Sequence, residues 1–187
     1  MPGSNTPRRK TARPRPKANR KTQVAVESLQ KKIAIDLARV GRIARTVLTR
    51  EGVRPIGSSP QGTSGLREES SLNIIFVSAP KIRSLNRQYL RRDYVTDVLA
   101  FDLRDVKRAG QVNGDIAICV DMAVRNAREY QSSLDRELAL YVVHGILHLL
   151  GYDDHKPADI RKMRKKEAEV LEYLGKLRVS GNPGIRD

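Results

Sequence analysis

The longest apolar stretch of the chain, Leu138 to Leu150, reads LALYVVHGILHLL and is broken by two histidines and a glycine. So apolar a run must be buried, yet it falls short of the ~18 residues a membrane span needs. In a chain of 187 residues it is the natural centre of a single core. From Asp135 onward, Glu137, Leu138, Leu140, Tyr141, Val143, His144, Leu147 and His148 recur at helical spacing. That spacing predicts a buried helix with both imidazoles on one face, one turn apart. Gly151 stands where helices commonly end in a left-handed cap, so the chain can turn back and present His155.

His144, His148 and His155 are the only histidines in the sequence, and all fall within HGILHLLGYDDH. Three imidazoles around one ion with a position left open is the arrangement of a catalytic metal site. The expectation is one divalent transition metal held by His144, His148 and His155; zinc is the expected ion, nickel the other candidate, and imidazole donors also suit copper or iron. HxxxHxxG resembles the start of the metzincin peptidase pattern, but there a glutamate follows the first histidine as general base. Here that position is Gly145, which leaves a peptidase without its proton acceptor.

Elsewhere the patterning alternates between the two periods. From Val24 to Arg50, apolar residues at Leu29, Ile33, Leu37, Val40, Ile43, Ala44, Val47 and Leu48 predict a helix. Gly52 and Pro55 stop it, and residues 56–65 form a polar turn-rich loop. Leu72–Val77, Thr96–Leu103 and Gly114–Val120 read as strands, with a short helix from Ala79 to Tyr89 between the first two. Asp121 is expected to cap a helix running to Tyr130, and Pro157 to Leu174 forms a charged amphipathic helix. Strands and helices mix without regular βαβ alternation, which predicts an α+β fold: a small mixed four-stranded sheet packed with about five helices. The metal site lies between the core helix and the loop that follows it.

The net charge is +15, of which the first 23 residues, with eight Lys or Arg and no acid, supply +8. A basic excess of this size favours a polyanionic partner. Residues 1–21 are rich in Pro, Arg and Lys and read as a disordered arm suited to phosphate backbones. A single domain is expected over 22–178, with a flexible end at 179–187. The arm has no apolar segment of a secretory signal, and its prolines break the amphipathic helix of a transit peptide, so a cytoplasmic protein is expected, away from membranes. The one cysteine, Cys119, lies in an apolar run and reads as a buried small hydrophobe.

Several segments, in order, resemble the YbeY family of bacterial single-strand-specific endoribonucleases that mature ribosomal RNA. His144-Gly145-Ile146-Leu147-His148-Leu149-Leu150-Gly151-Tyr152-Asp153 is similar to its HGxLHLxGYDH signature, and Gly114-Asp115-Ile116 to its GDIxIS segment. Leu85-Asn86-Arg87-Gln88-Tyr89 is similar to LNxxYR, and Thr96 to Phe101 to TDVLSF. The resemblance implies a metal-dependent endoribonuclease acting on single-stranded rRNA at the small-subunit 3′ end and in ribosome quality control, with the small ribosomal subunit as partner. It departs from the pattern at three places. Asp153-Asp154 puts His155 one residue late, so a bulge or a carboxylate must complete the metal site. Leu90 occupies the position of the family's catalytic arginine, which leaves Arg91 or Arg92 to stabilise charge on phosphorus. Ala100 replaces a serine. A ribosome-assembly RNA-binding factor with a mainly structural metal is the alternative; hydrolysis of a small phosphoester or a peptide is a third. Glu137, on the same helical face as His144, reads either as a partner that orients an imidazole or as an acid favoured by the helix dipole.

Overall fold

The computed structural model describes residues 23–53, 70–105 and 110–179. The arm at 1–21, the loop at 56–65 and residues 180–187 lie outside them. In chain order the described residues form β1 (Gln23–Ser28), α1 (Leu37–Arg50), β2 (Ser71–Val77), α2 (Ala79–Leu90), β3 (Val98–Asp102), β4 (Asn113–Cys119), α3 (Val120–Glu129), α4 (Leu134–Leu149) and α5 (Pro157–Val179). The sheet order is β1-β2-β4-β3. β1, β2 and β4 are parallel, and β3 closes one edge antiparallel to β4. The fold is therefore α+β with a mixed four-stranded sheet and five helices, as expected.

Alternation divides the sheet between two apolar clusters. Leu72, Ile74, Phe76, Ile116 and Ile118 join the larger one with α1, α4 and the inner side of α5. Ile75, Val77, Ala117 and Cys119 join the smaller one with Ile82 and Leu85 of α2. Central parallel strands covered on both faces carry apolar residues on successive positions, which is why Ile74–Val77 of β2 and Ile116–Cys119 of β4 read as unbroken apolar runs. Cys119 is buried among them.

The fourth strand is the main correction. The helix expected over Val24–Arg50 begins only at Leu37, and residues 23–28 pair with β2 in register Gln23↔Ser71 to Ser28↔Phe76. Val24 and Val26 alternate with more exposed neighbours, as an edge strand with β-branched residues should. Between strand and helix, the Gln30 amide donates to the Ile33 carbonyl at 2.8 Å while its oxygen accepts from Lys32 and Ile33 amides. Asp36 then caps α1, accepting from the Arg39 amide at 2.8 Å. Leu29, counted towards the helical stripe, is 59% exposed. A second correction concerns Asp121. α3 begins at Val120, and the Asp121 carboxylate accepts from the Ala79 amide at 2.6 Å, so it satisfies the first turn of α2 rather than capping its own helix.

α4 is the buried helix that the apolar run predicts, and most of it is inaccessible to solvent. It lies tight against the sheet at Gly145, where a Cβ would lie 2.8 Å from Cγ2 of Ile116 on β4. Position 145 thus faces the sheet, away from the histidine edge. Ser133 caps the helix start, accepting from Arg136 N at 3.2 Å, and Gly151 leaves the far end with φ +95°, the left-handed exit expected there.

Candidate metal centre

The i,i+4 spacing on α4 brings the two imidazoles together edge to face, with ring centroids 4.5 Å apart and planes at 87°. Their Nε2 atoms are 3.0 Å apart. Each ring is fixed from its other nitrogen. His148 Nδ1 donates to the Tyr152 carbonyl at 3.1 Å, an acceptor supplied by the turn after Gly151. His144 Nδ1 donates to Oε1 of Glu167 on α5 at 2.6 Å. Carbonyl and carboxylate only accept, so both protons sit on Nδ1 and both Nε2 atoms present lone pairs. The Asp154 carboxylate completes the group, with Oδ2 3.7 Å from each Nε2.

Three acceptors that face one another repel unless a metal ion lies between them or the two Nε2 atoms share a proton. The donor set fits a metal. Two imidazole nitrogens bound at 2.0–2.1 Å to a tetrahedral ion stand roughly 3.3 Å apart, close to the observed separation. Both imidazoles are also oriented by hydrogen bonds at Nδ1, as metal-ligating histidines are. Of the histidine-containing groups able to hold an ion among the described residues, one consists of His144, His148 and Asp154.

His155 is not brought to this pair. It is 68% exposed in its side chain and its Nδ1 is paired with Asp153, 3.9 Å from the other carboxylate oxygen of Asp154. The extra aspartate places Asp154 at the point where the turn first reaches the histidine edge, and the chain has then left α4's face by residue 155. Asp153 holds the His155 imidazole above its ordinary pKa, and His155 holds Asp153 below its own.

At His144, burial opposes the charged ring, but the Glu167 contact and the charges of Asp97 and Asp154 outweigh it, so its pKa is raised. At His148, burial and the neighbouring His144 charge lower the pKa. The environment of the pair favours one positive charge and resists two.

Arg91 and Arg92 lie in the turn that ends α2. Arg91 is the left-handed C-cap residue, φ 57°, and both side chains are exposed. Buried Asn86 shapes this turn: its side-chain amide donates to the Tyr94 carbonyl at 3.0 Å and its main-chain carbonyl accepts from the Arg92 N–H at 3.3 Å. The charge of Arg92 is felt at His155. Neither guanidinium contacts His144 or His148.

Glu137 does not touch a histidine. It is buried and its carboxylate accepts from the Ser132 hydroxyl, in the first turn of α4, which agrees with the dipole reading. The residue that orients His144 is Glu167, 23 positions further on, a separation that no local pattern reveals. A cleft of about 660 Å³ opens beside the metal group, lined among others by Asp97, Tyr130, Glu137, His144, Asp154 and Glu167. Asp97, just before β3, accepts at Oδ1 from Val98 N at 2.8 Å and also faces this cleft.

The comparisons with known proteins agree with one another. The family model described as Endoribonuclease YbeY matches residues 25–175. A protein of that name from Anaeromyxobacter dehalogenans is 42% identical over 121 residues, covering 65% of this chain and 63% of the relative. One from Anaeromyxobacter sp. strain Fw109-5 is 43% identical, with 57% of its length matched. The chain thus spans about three fifths of these two relatives. The Endoribonuclease YbeY of Pelotomaculum thermopropionicum is 40% identical, covering 81% of this chain and 96% of its own. The solution structure of a Thermotoga maritima protein superposes with a TM-score of 0.55 at 27% identity, over 88% of this chain and all of the other. With the family model spanning the sheet, the paired histidines and most of α5, the chain belongs to the Endoribonuclease YbeY family.

Proposed function

We propose that this protein is a metal-dependent endoribonuclease that cuts single-stranded RNA, acting in the cytoplasm on rRNA of the small ribosomal subunit, at its 3′ end and in ribosome quality control. The observation that carries the metal is the convergence of two Nε2 lone pairs and the Asp154 carboxylate on one point. The relatives' name, Endoribonuclease YbeY, supports an RNA substrate, and the net charge of +15 suits a polyanion. No helix among the described residues is long and apolar enough to cross a membrane.

His144, His148 and Asp154 would hold one divalent ion, zinc or nickel by donor type. When bound, the ion supplies Lewis acidity towards a phosphoryl oxygen. The protein's own part is positional. Glu167 and the Tyr152 carbonyl orient the two rings so that, in their neutral forms, both Nε2 lone pairs are aimed at one point. The charge of Arg92 in the α2 turn is felt at His155, in the loop that bears Asp154, and a guanidinium there suits phosphate geometry. His155, exposed beside Asp153, stands within the same loop as the third donor.

Metal content by mass spectrometry, measured with cleavage of a single-stranded oligoribonucleotide, tests this reading. Alanine at His144, His148 or Asp154 is expected to abolish both, and alanine at His155 to leave most of the metal. If metal survives Asp154→Ala and is lost in His155→Ala, His155 is the third ligand. If metal is lost and the fold collapses while the wild type never cleaves RNA, the ion is structural and the protein is an assembly factor.

A further inference from the structure

The metal group fixes where a phosphodiester is cut but not how a strand is held on either side of it. The cleft beside the histidines does not end at their edge. A second concavity of about 820 Å³ adjoins it, and the two share Arg136, Leu140, Arg164 and Glu167 in their walls. Together they form one trough between α4 and α5, from Asp154 at the metal group to Lys176 near the end of α5. Along α5 alone, Ile160 to Lys176 spans about 24 Å at 1.5 Å per residue. This exceeds one nucleotide and suits a chain of several.

The trough is chemically divided. Leu140, Ala168 and Leu171 supply an apolar floor. Of its acids, Glu167 is engaged by His144, Glu137 by Ser132 and Glu172 by Lys176, while Asp97 accepts from Val98 N and Asp154 belongs to the metal group. Arg136 and Arg164 are exposed, and their guanidiniums have no ion-pair partner among the described residues. Both stand where the two concavities meet. At the metal end, the turn between α3 and α4 holds up Tyr130, which is 66% exposed and lines the same cleft. Free guanidiniums over an apolar floor, with an open aromatic ring at the mouth, are the parts of a surface that grips phosphates and stacks bases.

We propose that the α4–α5 trough is the track for the single-stranded RNA on one side of the scissile phosphate, with Arg136 and Arg164 on its phosphates and Tyr130 stacked on a base. This rests on the endoribonuclease reading above and adds to it the path of the strand. Unpaired guanidiniums over an apolar floor also suit an acidic amphipathic helix; the open ring beside the metal group and the continuity with the cutting point favour the nucleic acid.

The test is binding of a fluorescent, cleavage-resistant single-stranded oligoribonucleotide to the full chain, by anisotropy over a salt series. Metal content and thermal midpoint are recorded on the same samples. The Arg136→Ala/Arg164→Ala double variant should lose affinity and flatten log K against log salt by about 0.7 for each guanidinium removed. Lysine at both positions should restore the slope. Tyr130→Ala should weaken binding on the order of tenfold with the salt slope unchanged, and Tyr130→Phe should not. If the folded, metal-replete variants bind as the wild type does, the track is wrong while the endoribonuclease reading stands. Variants that bind RNA normally but lose an acidic helical peptide bound by the wild type overturn the track in favour of a protein groove. If the wild type neither binds nor cuts single-stranded RNA, the functional reading fails, and the track with it.

Discussion

Glu167 and Glu137 are both acids facing the same cleft, and they do different things. Glu167 orients His144, so Glu167→Gln is expected to weaken metal binding by roughly 10- to 100-fold, measured by chelator competition. Its effect on stability without metal depends on pH. The contact helps raise the His144 pKa from 6.5, so the stability it adds is full below about 6.5 and is lost as pH rises through the raised value. The wild type and Glu167→Gln, compared by denaturant unfolding of the metal-free protein, should therefore differ most in mild acid and converge in mild alkali. Glu137 is buried with Ser132 in the first turn of α4. Glu137→Gln should cost about 1 kcal/mol of stability and leave metal affinity nearly unchanged. At this scale the histidine pair was legible because i,i+4 is a geometric statement. The choice between Asp154 and His155 depends on how one turn reaches back after Gly151, which spacing leaves open.

At the scale of elements, β2, β4, α2, α4 and α5 were readable because each carries one unmixed period. β1 was not. Its six residues alternate, but Leu29 and Ile33 continue an apolar count that also fits a helix, and what decides for strand is pairing with Ser71–Phe76, far along the chain. Asp121 misled for a similar reason: it has the position of a cap for α3, and its acceptor is used by α2, which leaves the neighbouring strand β2. Gly145 was read for the side chain it lacks, whereas its place is set by β4. Gly145→Ala would force a Cβ to 2.8 Å from Ile116, and overpacking of this kind typically costs about 1–3 kcal/mol. Thermal unfolding of the metal-free variant should show that loss, with i,i+4 histidine geometry and hence metal stoichiometry retained.

For the molecule as a whole, one buried guanidinium ties the sheet to the helix that carries the histidines. Arg104, just after β3, meets both oxygens of Asp102 at 2.8 Å and donates to the Gln111 carbonyl at 2.6 Å and the Leu149 carbonyl at 2.5 Å. Leu149 is the last residue of α4, where the turn to Asp154 begins. Arg104→Met leaves Asp102 and two carbonyls without this partner. It is expected to cost roughly 3 kcal/mol in a denaturant titration and to weaken metal binding through a looser turn.

The order of elements has a consequence for how the protein comes into being. β1, β2 and β4 join in parallel across long stretches of chain, so only the antiparallel pair β3 and β4 lies close together along the sequence. Much of the closure entropy is thus met before the sheet exists, which predicts folding in the slower range of small domains. On a growing chain, His144 and His148 emerge before the helix bearing Glu167. Until that helix docks, the tautomer of His144 is not fixed. The ion and the C-terminal helix should therefore arrive as one cooperative event, and a nascent chain stalled before residue 167 should have its sheet and its two histidines but hold metal weakly.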